Sequence, residues 1–252
     1  MQENRSFQSI KILSVPVSVL ESYRQTVDTI VERVRSGQKT FCIAINPEKI
    51  YCAQKDSKLK ELINKGNLHI CDGVGTAIAA KILHGRRPAR ITGVQLFLEL
   101  MAKAEKEGLK VFLLGASEES NKGAFEKLTE KHPELRIVGR ENGYFENSET
   151  VVEKINQSGA DMVFVAMGSP KQEYWIAENI DKLVANFVMG VGGSFDVVSG
   201  RAKWAPKIFR RTGTEFLYRL ITNPKRWRRQ LVLPKFAIMV LTKKLVHPHS
   251  NN

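Results

Sequence analysis

The chain has no long hydrophobic run and few cysteines. No stretch approaches about 18 uninterrupted apolar residues, so the sequence predicts no transmembrane helix. Residues 1–5 (MQENR) contain no apolar signal core, and we expect the chain to stay in the cytoplasm. Cys42, Cys52 and Cys71 have no CxxC spacing, and the five histidines supply no cluster of metal ligands. We therefore expect free thiols, no metal and no other cofactor.

Acidic residues are nearly absent from the C-terminal part of the chain. Residues 201–246 hold thirteen lysines and arginines but a single acid, Glu215. This segment therefore carries +12 of the net charge of +13, and residues 1–200 are close to neutral. A basic segment on a neutral body predicts a polyanionic partner, either nucleic acid or an anionic membrane surface.

Two glycine motifs typical of nucleotide-binding enzymes are also missing. The sequence has no Walker A loop, and no GxGxxG follows its first predicted strand. The glycine-rich residues 190–193 (GVGG) lie too late in the predicted domain to be a strong dinucleotide signal. A hydride-transferring enzyme such as a nucleotide-sugar dehydrogenase is disfavoured but not excluded, and absorbance by NADH would test it.

Short apolar runs alternate with longer helical patterns over most of the chain. Helical patterns such as 94–107 and 118–132 separate the runs, and Ser117 is the predicted start of the second. The apolar runs, which we predict to be strands, cover residues 40–45, 68–71, 111–114, 136–138, 162–166 and 186–189. This alternation predicts a mostly parallel sheet, and continuous apolar runs are typical of strands covered on both faces.

We therefore predict an α/β fold with a Rossmann-like core over residues 1–195. Residues 196–252 are predicted to form a basic, helical C-terminal appendage. One helix is expected over 208–221, and a second is expected to begin at Asn223-Pro224 and to continue into the apolar stretch 231–241.

Polar residues and glycines follow most of the predicted strands. Ligands of open α/β sheets bind outside the carboxyl ends of the strands, so these residues are the candidate site. Glycines in such positions let backbone N–H groups approach a phosphate, although tight turns alone give the same pattern. The candidate substrate-binding residues of this kind are Asn46, Gly115, Gly168, Gly190, Gly192 and Gly193.

Asp72 is the acid best placed to act as a catalytic base. It follows a short strand, where a carboxylate can take a proton from a reacting group. The alternative role is a cap on a helix that begins near Thr76. Arg90 can bind a phosphate through two N–H groups, or it is a surface arginine like Arg86 and Arg87.

Longer segments of the chain resemble the WecG/TagA/CpsF family of glycosyltransferases. The resemblance runs from about residue 10 to about residue 240 and is most specific over 165–230. The matching segments are 46–48 (NPE), 72–73 (DG), 90–93 (RITG), 142–145 (NGYF), 165–173 (VAMGSPKQE), 189–196 (MGVGGSFD), 201–207 (RAKWAPK) and 215–219 (EFLYR).

The resemblance implies an inverting, metal-independent enzyme with a Rossmann-like core and a membrane-dependent C-terminal appendage. It assigns the base to Asp72, and it assigns substrate contacts to Asn46, Arg90, Gln172, Arg219, Arg226 and Arg229. The implied partners are a UDP-sugar donor, a polyprenyl-diphosphate-linked saccharide acceptor and the anionic inner face of the cell membrane, without nucleic acid. The oligomeric state, a homo-oligomer included, is left open.

The chain is most similar in pattern to the WecG branch, which transfers N-acetyl-D-mannosaminuronic acid in the synthesis of enterobacterial common antigen. TagA-like members use UDP-N-acetylmannosamine for teichoic acid, and both branches act on undecaprenyl-diphosphate-linked N-acetylglucosamine. TagA-like members carry threonine two residues before the asparagine, where this chain has Ala44. This difference favours the WecG branch.

Two alternatives stay open at this point. The first is the same family with another UDP-hexose donor, used for capsule or exopolysaccharide. The second is a nucleic-acid-binding module that uses the basic segment. The apolar stretch 231–241 favours a membrane surface over a duplex, because interfacial helices combine basic and apolar faces. A salt-dependent duplex shift assay and liposome flotation would discriminate between them.

Overall fold

A computed structural model describes residues 8–224 and 227–246, except for the side chains of Arg219 and Arg229. The fold opens with a hairpin of β1 (Ser9–Ile12) and β2 (Val15–Ser18), which the sequence analysis did not predict. These strands have four residues each, and the second contains a proline, so their pattern is weak. Burial of Ile12, Val15 and Val17 ties the hairpin to the core.

The main sheet has six strands, all parallel, in the order β4-β3-β8-β7-β5-β6. All six predicted strands are confirmed, with ends that shift by three residues at most. Their bounds are β3 (Thr40–Ile45), β4 (Leu68–Cys71), β5 (Lys110–Gly115), β6 (Arg136–Glu141), β7 (Met162–Ala166) and β8 (Phe187–Gly190). Only β6 is half-exposed along most of its length, as expected of an edge strand with charged residues.

Helices cover both faces of this sheet, which confirms the predicted α/β class. One face packs against α2 (Pro47–Ala53), α3 (Ser57–Lys65), α4 (Val74–His84), α7 (Ser148–Ser158) and α8 (Lys171–Asn179). The other packs against α1 (Tyr23–Arg35), α5 (Gly93–Glu107), α6 (Glu118–Lys131) and α9 (Ser194–Val198). The apolar side chains between the sheet and each helix layer form two cores, the first on the side of α2 and the second on the side of α1. Within β3, Phe41 and Ile43 face the first core and Cys42 faces the second, because successive side chains of a strand alternate.

Side chains cap the starts of α6 and α2, and the cap at Ser117 confirms the helix start that was predicted there. The Ser117 Oγ accepts a hydrogen bond from the Ser120 amide at 3.2 Å, and two glutamates follow in the first turn of α6. The Asn46 Oδ1 accepts from the Lys49 amide at 2.8 Å and begins α2, with proline as the first helical residue.

The C-terminal region is helical, but its helices are shorter than predicted. They are α10 (Lys207–Thr212), α11 (Glu215–Thr222), α12 (Trp227–Gln230) and α13 (Val232–Val246). The single helix expected over 208–221 is interrupted at Gly213, which has a φ of 77° that right-handed helices do not allow. The second expected helix is likewise divided into α12 and α13. Pro234 is tolerated because it lies in the first turn of α13.

Helix α13 packs on the core rather than extending away from it. It contacts α2 and α4, and its Phe236 and Val240 are 4% and 2% exposed within the first core. Among the described residues, no helix is both long and apolar enough to cross a membrane. The division of the chain at residue 195 stays a prediction.

Candidate active site

The carboxyl ends of the parallel strands bring most of the predicted site residues to one edge of the sheet. Asn46 follows β3 and Asp72 follows β4, in adjacent strands of the sheet. Gly115 ends β5, Gly168 follows β7 and Gly190 ends β8. Open parallel sheets bind their ligands at this edge.

Asp72 lies where three segments of the chain meet. Its amide donates to the Ile45 carbonyl at 2.9 Å, and the Ile91 amide donates to the Cys71 carbonyl at 2.8 Å. A Cβ built on Gly93 would stand 3.9 Å from the Asp72 Oδ2. The carboxylate therefore faces the N-terminus of α5, whose partial positive charge stabilises a negative group.

Gly73, rather than Asp72, occupies the N-cap of the following helix. Its φ is 98°, and α4 begins at Val74, so the helix starts earlier than expected. Ala44 borders the same space as Asp72, because its Cβ would also lie 3.9 Å from a Cβ on Gly93. The residue type at position 44 thus bears directly on the surroundings of the carboxylate.

Tyr23 is a polar neighbour of this space that the sequence analysis missed. Its hydroxyl accepts from the Thr92 amide at 2.8 Å and lies 3.2 Å from the Thr92 Oγ1. Burial raises the pKa of the Tyr23 phenol above 10, the hydrogen bonds with Thr92 oppose the increase, and the charge of Asp72 adds to it. Tyr23 is the first residue of α1 and far from Asp72 in the sequence, so no local pattern points to it.

Gln172 lies buried beneath the glycine-rich loop that follows β8. Its Oε1 accepts from the Gly192 amide at 2.9 Å, and its Nε2 donates to the Glu173 Oε1 at 3.0 Å. A Cβ on Gly190 would lie only 2.5 Å from the Gln172 Nε2, so a larger residue there would displace this buried side chain from its hydrogen bonds. Both ends of the amide therefore bind protein groups, and Gln172 fixes the loop 190–193 in place.

A buried ion pair extends this network to the next loop. The Lys49 Nζ lies 2.7 Å from the Glu173 Oε1, and the two side chains are 5% and 2% exposed. Burial by itself raises the pKa of Glu173, but the charge of Lys49 and hydrogen bonds from Lys49, Gln172 and Ser169 outweigh it. The net result is a pKa below the usual 4.5. Because Asn46 caps the helix that carries Lys49, one chain of contacts joins the loops after β3, β7 and β8.

Sequence patterns predicted the two ends of this network but not its middle. Asn46, Gln172 and Gly192 were candidates, whereas Lys49 and Glu173 were not. A lysine and a glutamate at helical positions are typical of exposed surfaces. The only signal was their spacing, since Lys49 lies three residues after Asn46 and Glu173 directly follows Gln172.

The remaining glycines of the site are present for different reasons. A Cβ on Gly115 would lie 2.6 Å from the Ala166 carbonyl carbon, so glycine is needed where β5 passes the end of β7. Gly193 is the N-cap residue of α9. A Cβ on Gly168 or Gly192 would meet no atom of the described residues within 4 Å. These two backbone positions are therefore open to a ligand.

Arg90 contacts the C-terminal region. Its Nη1 lies 3.3 Å from the Glu215 Oε1, and its Nη2 donates to the Arg210 carbonyl. A cavity of about 230 Å³ lies between residues 87–90 of the core and residues 211–213.

The three arginines that the resemblance places near substrate cannot be added to this geometry. Arg226 lies outside the described residues, and of Arg219 and Arg229 only the backbone is described. In residues 8–224 and 227–246, no group of three His, Cys, Asp or Glu side chains could hold a metal ion.

The sequence matches a known protein family over most of its length. A sequence profile described as the glycosyl transferase WecG/TagA/CpsF family matches residues 10–250. The chain belongs to this family. The family and the glycosyltransferase class predicted from the motifs are therefore confirmed.

Two relatives from Bacillus refine the position of the chain within the family. The N-acetylglucosaminyldiphosphoundecaprenol N-acetyl-beta-D-mannosaminyltransferase of Bacillus subtilis (strain 168) is 38% identical over 209 residues, which cover 81% of each chain. The protein of the same name from Bacillus spizizenii is 36% identical over 201 residues, or 80% of this chain and 78% of the relative.

These relatives do not support the WecG branch that Ala44 suggested. Both are named for the transfer of N-acetylmannosamine, the donor sugar of the TagA-like alternative. A single alanine beside Asp72 is thus a poor marker of the branch, and similarity over four fifths of the chain outweighs it.

Proposed function

We propose that this glycosyltransferase moves N-acetylmannosamine from UDP-N-acetylmannosamine to N-acetylglucosaminyl diphosphoundecaprenol, in the synthesis of a cell-envelope polymer. The names of the two Bacillus relatives support the sugar and the acceptor. The position of Asp72 at the carboxyl edge of the sheet, with its Oδ2 3.9 Å from a Cβ on Gly93, carries the proposed transfer chemistry. N-acetylmannosaminuronic acid and other UDP-hexoses are the competing donors.

The proposed chemistry is a single displacement with inversion at the anomeric carbon. Asp72 accepts the proton of the acceptor hydroxyl while the hydroxyl oxygen attacks the anomeric carbon. The bond from that carbon to the UDP oxygen breaks, and its electron pair leaves with the diphosphate. The backbone amides of Gly168 and Gly193 and arginines of the C-terminal region, including Arg219, Arg226 and Arg229, stabilise the charge on the departing UDP.

A donor screen tests the proposal directly. The purified protein is incubated with a short-chain polyprenyl-diphosphate N-acetylglucosamine and with one sugar nucleotide at a time. The mass of the product identifies the transferred sugar. We expect addition of N-acetylmannosamine. Addition of N-acetylmannosaminuronic acid or of another hexose in its place would contradict the proposed donor.

We also propose that the C-terminal region lies on an anionic membrane surface. Helix α13 buries Phe236 and Val240 against the core, while Ile238, Leu241 and Leu245 are 64%, 53% and 81% exposed. Each lysine or arginine near an anionic bilayer contributes about 1 kcal/mol, and residues 201–246 carry a charge of +12. An exposed apolar face beside basic residues is typical of interfacial helices.

Liposome sedimentation separates this proposal from the nucleic-acid alternative. The full chain is expected to pellet with phosphatidylglycerol liposomes at low salt, to be released at high salt and to ignore phosphatidylcholine liposomes. A DNA duplex of equal charge concentration is the comparison. Binding to the duplex without binding to the anionic liposomes would contradict the membrane proposal.

A further inference from the structure

We infer that Glu215 is a positioning residue, which docks the C-terminal helices α10 and α11 beside Asp72 by pairing with Arg90. The docking depends only on contacts within the chain. Its consequence for turnover rests on the proposed function. The tests below therefore separate a failure of the docking from a failure of the proposed donor or acceptor.

Glu215 stands apart from the rest of the basic region. It is the only acid among residues 201–246, which contain thirteen basic residues. Its side chain is only 14% exposed, that of Arg90 is 25% exposed, and Nη1 of Arg90 lies 3.3 Å from Oε1 of Glu215. A carboxylate in the first turn of α11 also interacts favourably with the helix dipole. The one negative charge of the region thus points to the core.

A second contact places the end of α10 against the same arginine. The Nη2 of Arg90 donates to the Arg210 carbonyl. Gly213 then makes the turn to α11 and packs tightly on the core, since a Cβ there would lie 3.0 Å from the Val74 Cβ. Val74 is the first residue of α4 and lies two positions after Asp72. The corner between the two helices is therefore docked next to the candidate base.

Other contacts hold α10 and α11 together at this corner. The rings of Phe209 and Tyr218 join α10 to α11, with centroids 5.4 Å apart. The Arg210 guanidinium stacks on the Trp204 ring at 3.9 Å. Position 219 follows Glu215 by about one turn of α11, so docking at Glu215 also sets the backbone position of an arginine that the resemblance assigns to substrate.

These contacts give Arg90 a role that the sequence did not indicate. Its two terminal nitrogens contact Glu215 and the Arg210 carbonyl. If Arg90 contacts the substrate directly, replacing Arg90 should lower turnover and replacing Glu215 should not. If the pair docks the helices, replacing either residue should lower turnover, and exchanging the two charges should restore it in part.

Hydrogen exchange of the protein without substrates tests the docking. In Glu215→Gln, backbone amides of residues 209–222 are expected to exchange about tenfold faster, since local opening of the corner loses a charge-assisted contact. Glu107→Gln is the matched control. Glu107 is 21% exposed, pairs with Lys103 and Arg35, and lies at the opposite end of α5 from Asp72. Unchanged exchange over 209–222 in Glu215→Gln would overturn the docking.

Turnover with the lipid-linked acceptor tests the consequence. Glu215→Gln is expected to lower kcat/KM for the acceptor about tenfold, while Glu107→Gln keeps the wild-type value. The double variant Arg90→Glu/Glu215→Arg is expected to restore slow exchange over 209–222 and to recover turnover relative to Arg90→Glu alone. Restored protection without any recovery of turnover would show that Arg90 acts on substrate itself, and it would refute the positioning role of Glu215.

Discussion

Replacing Lys49 with methionine tests how much the buried ion pair of Lys49 and Glu173 contributes to stability. The change removes the positive charge but keeps a flexible side chain of similar length, so it creates little empty space. Glu173 stays 2% exposed and keeps the hydrogen bond from Gln172, but it loses the contact at 2.7 Å. Removal of one partner from a buried ion pair costs about 3–5 kcal/mol, because the other charge is left in a medium of low dielectric constant.

The pH dependence of stability should change sign in this variant. In the wild-type protein the pKa of Glu173 is lowered below 4.5. The pair therefore contributes stability above this pH, and the contribution is lost as the pH falls through the folded-state value. In Lys49→Met only the hydrogen bonds from Gln172 and Ser169 still oppose the effect of burial, so the pKa of Glu173 rises. The folded state then holds a proton that the unfolded chain releases, so stability falls as the pH rises above about 4.5.

Urea unfolding at about pH 5 and about pH 7 measures both effects. We expect Lys49→Met to lose about 3 kcal/mol at neutral pH and less at the lower pH. The double variant Lys49→Met/Glu173→Gln should recover most of this loss, because no charge remains buried. Lys103→Met, which breaks half-exposed pairs, should cost less than about 1 kcal/mol. A Lys49→Met variant that is as stable as wild type, or that loses more stability relative to wild type at pH 5 than at pH 7, would refute this account.

Three further predictions concern the base, the metal and helix α13. Asp72→Asn should keep the fold and lower turnover by roughly 10²–10⁴, and near wild-type turnover would remove Asp72 from the mechanism. Activity should survive excess EDTA, because we assign charge neutralisation to arginines and amides; rescue by Mg²⁺ after complete loss would contradict this. Phe236→Ala should destabilise the protein by about 3–5 kcal/mol in urea unfolding, while Leu245→Ala, at an 81% exposed position, should not.

The strands of the main sheet and the edge that carries the candidate site were predictable, because the sequence pattern of a strand is local. The strands of the main sheet other than the edge strand β6 are mainly apolar runs that end at or near a glycine or a polar residue, and parallel topology then places those residues at one edge. The hairpin of β1 and β2 was not predictable in this way, because strands of four residues carry too little pattern. The break at Gly213 was also missed, since one glycine within an amphipathic stretch does not by itself end a helix.

The side chains that hold the site together needed the structure. The contact between Lys49 and Glu173 joins residues 124 positions apart, and that between Arg90 and Glu215 joins residues 125 apart. The sequence around a charged residue does not indicate whether the fold brings a residue of opposite charge next to it. Burial cannot be inferred for such residues either, because lysine and glutamate are rarely buried without a partner. The motifs therefore located the site, but they did not show what positions it.

The contacts that fix the glycine loop are stronger than those that dock α10 and α11 beside Asp72. On one side, Lys49, Glu173 and Gln172 form buried contacts, and breaking them costs several kcal/mol. On the other side, α10 and α11 are held by a partly exposed pair, for which contributions of about 1 kcal/mol are typical. Helix α13, in contrast, is anchored on α2 and α4 by the buried Phe236 and Val240. We therefore expect α10 and α11 to open transiently more readily than the glycine loop or α13, so that a lipid-linked acceptor approaches a preformed loop.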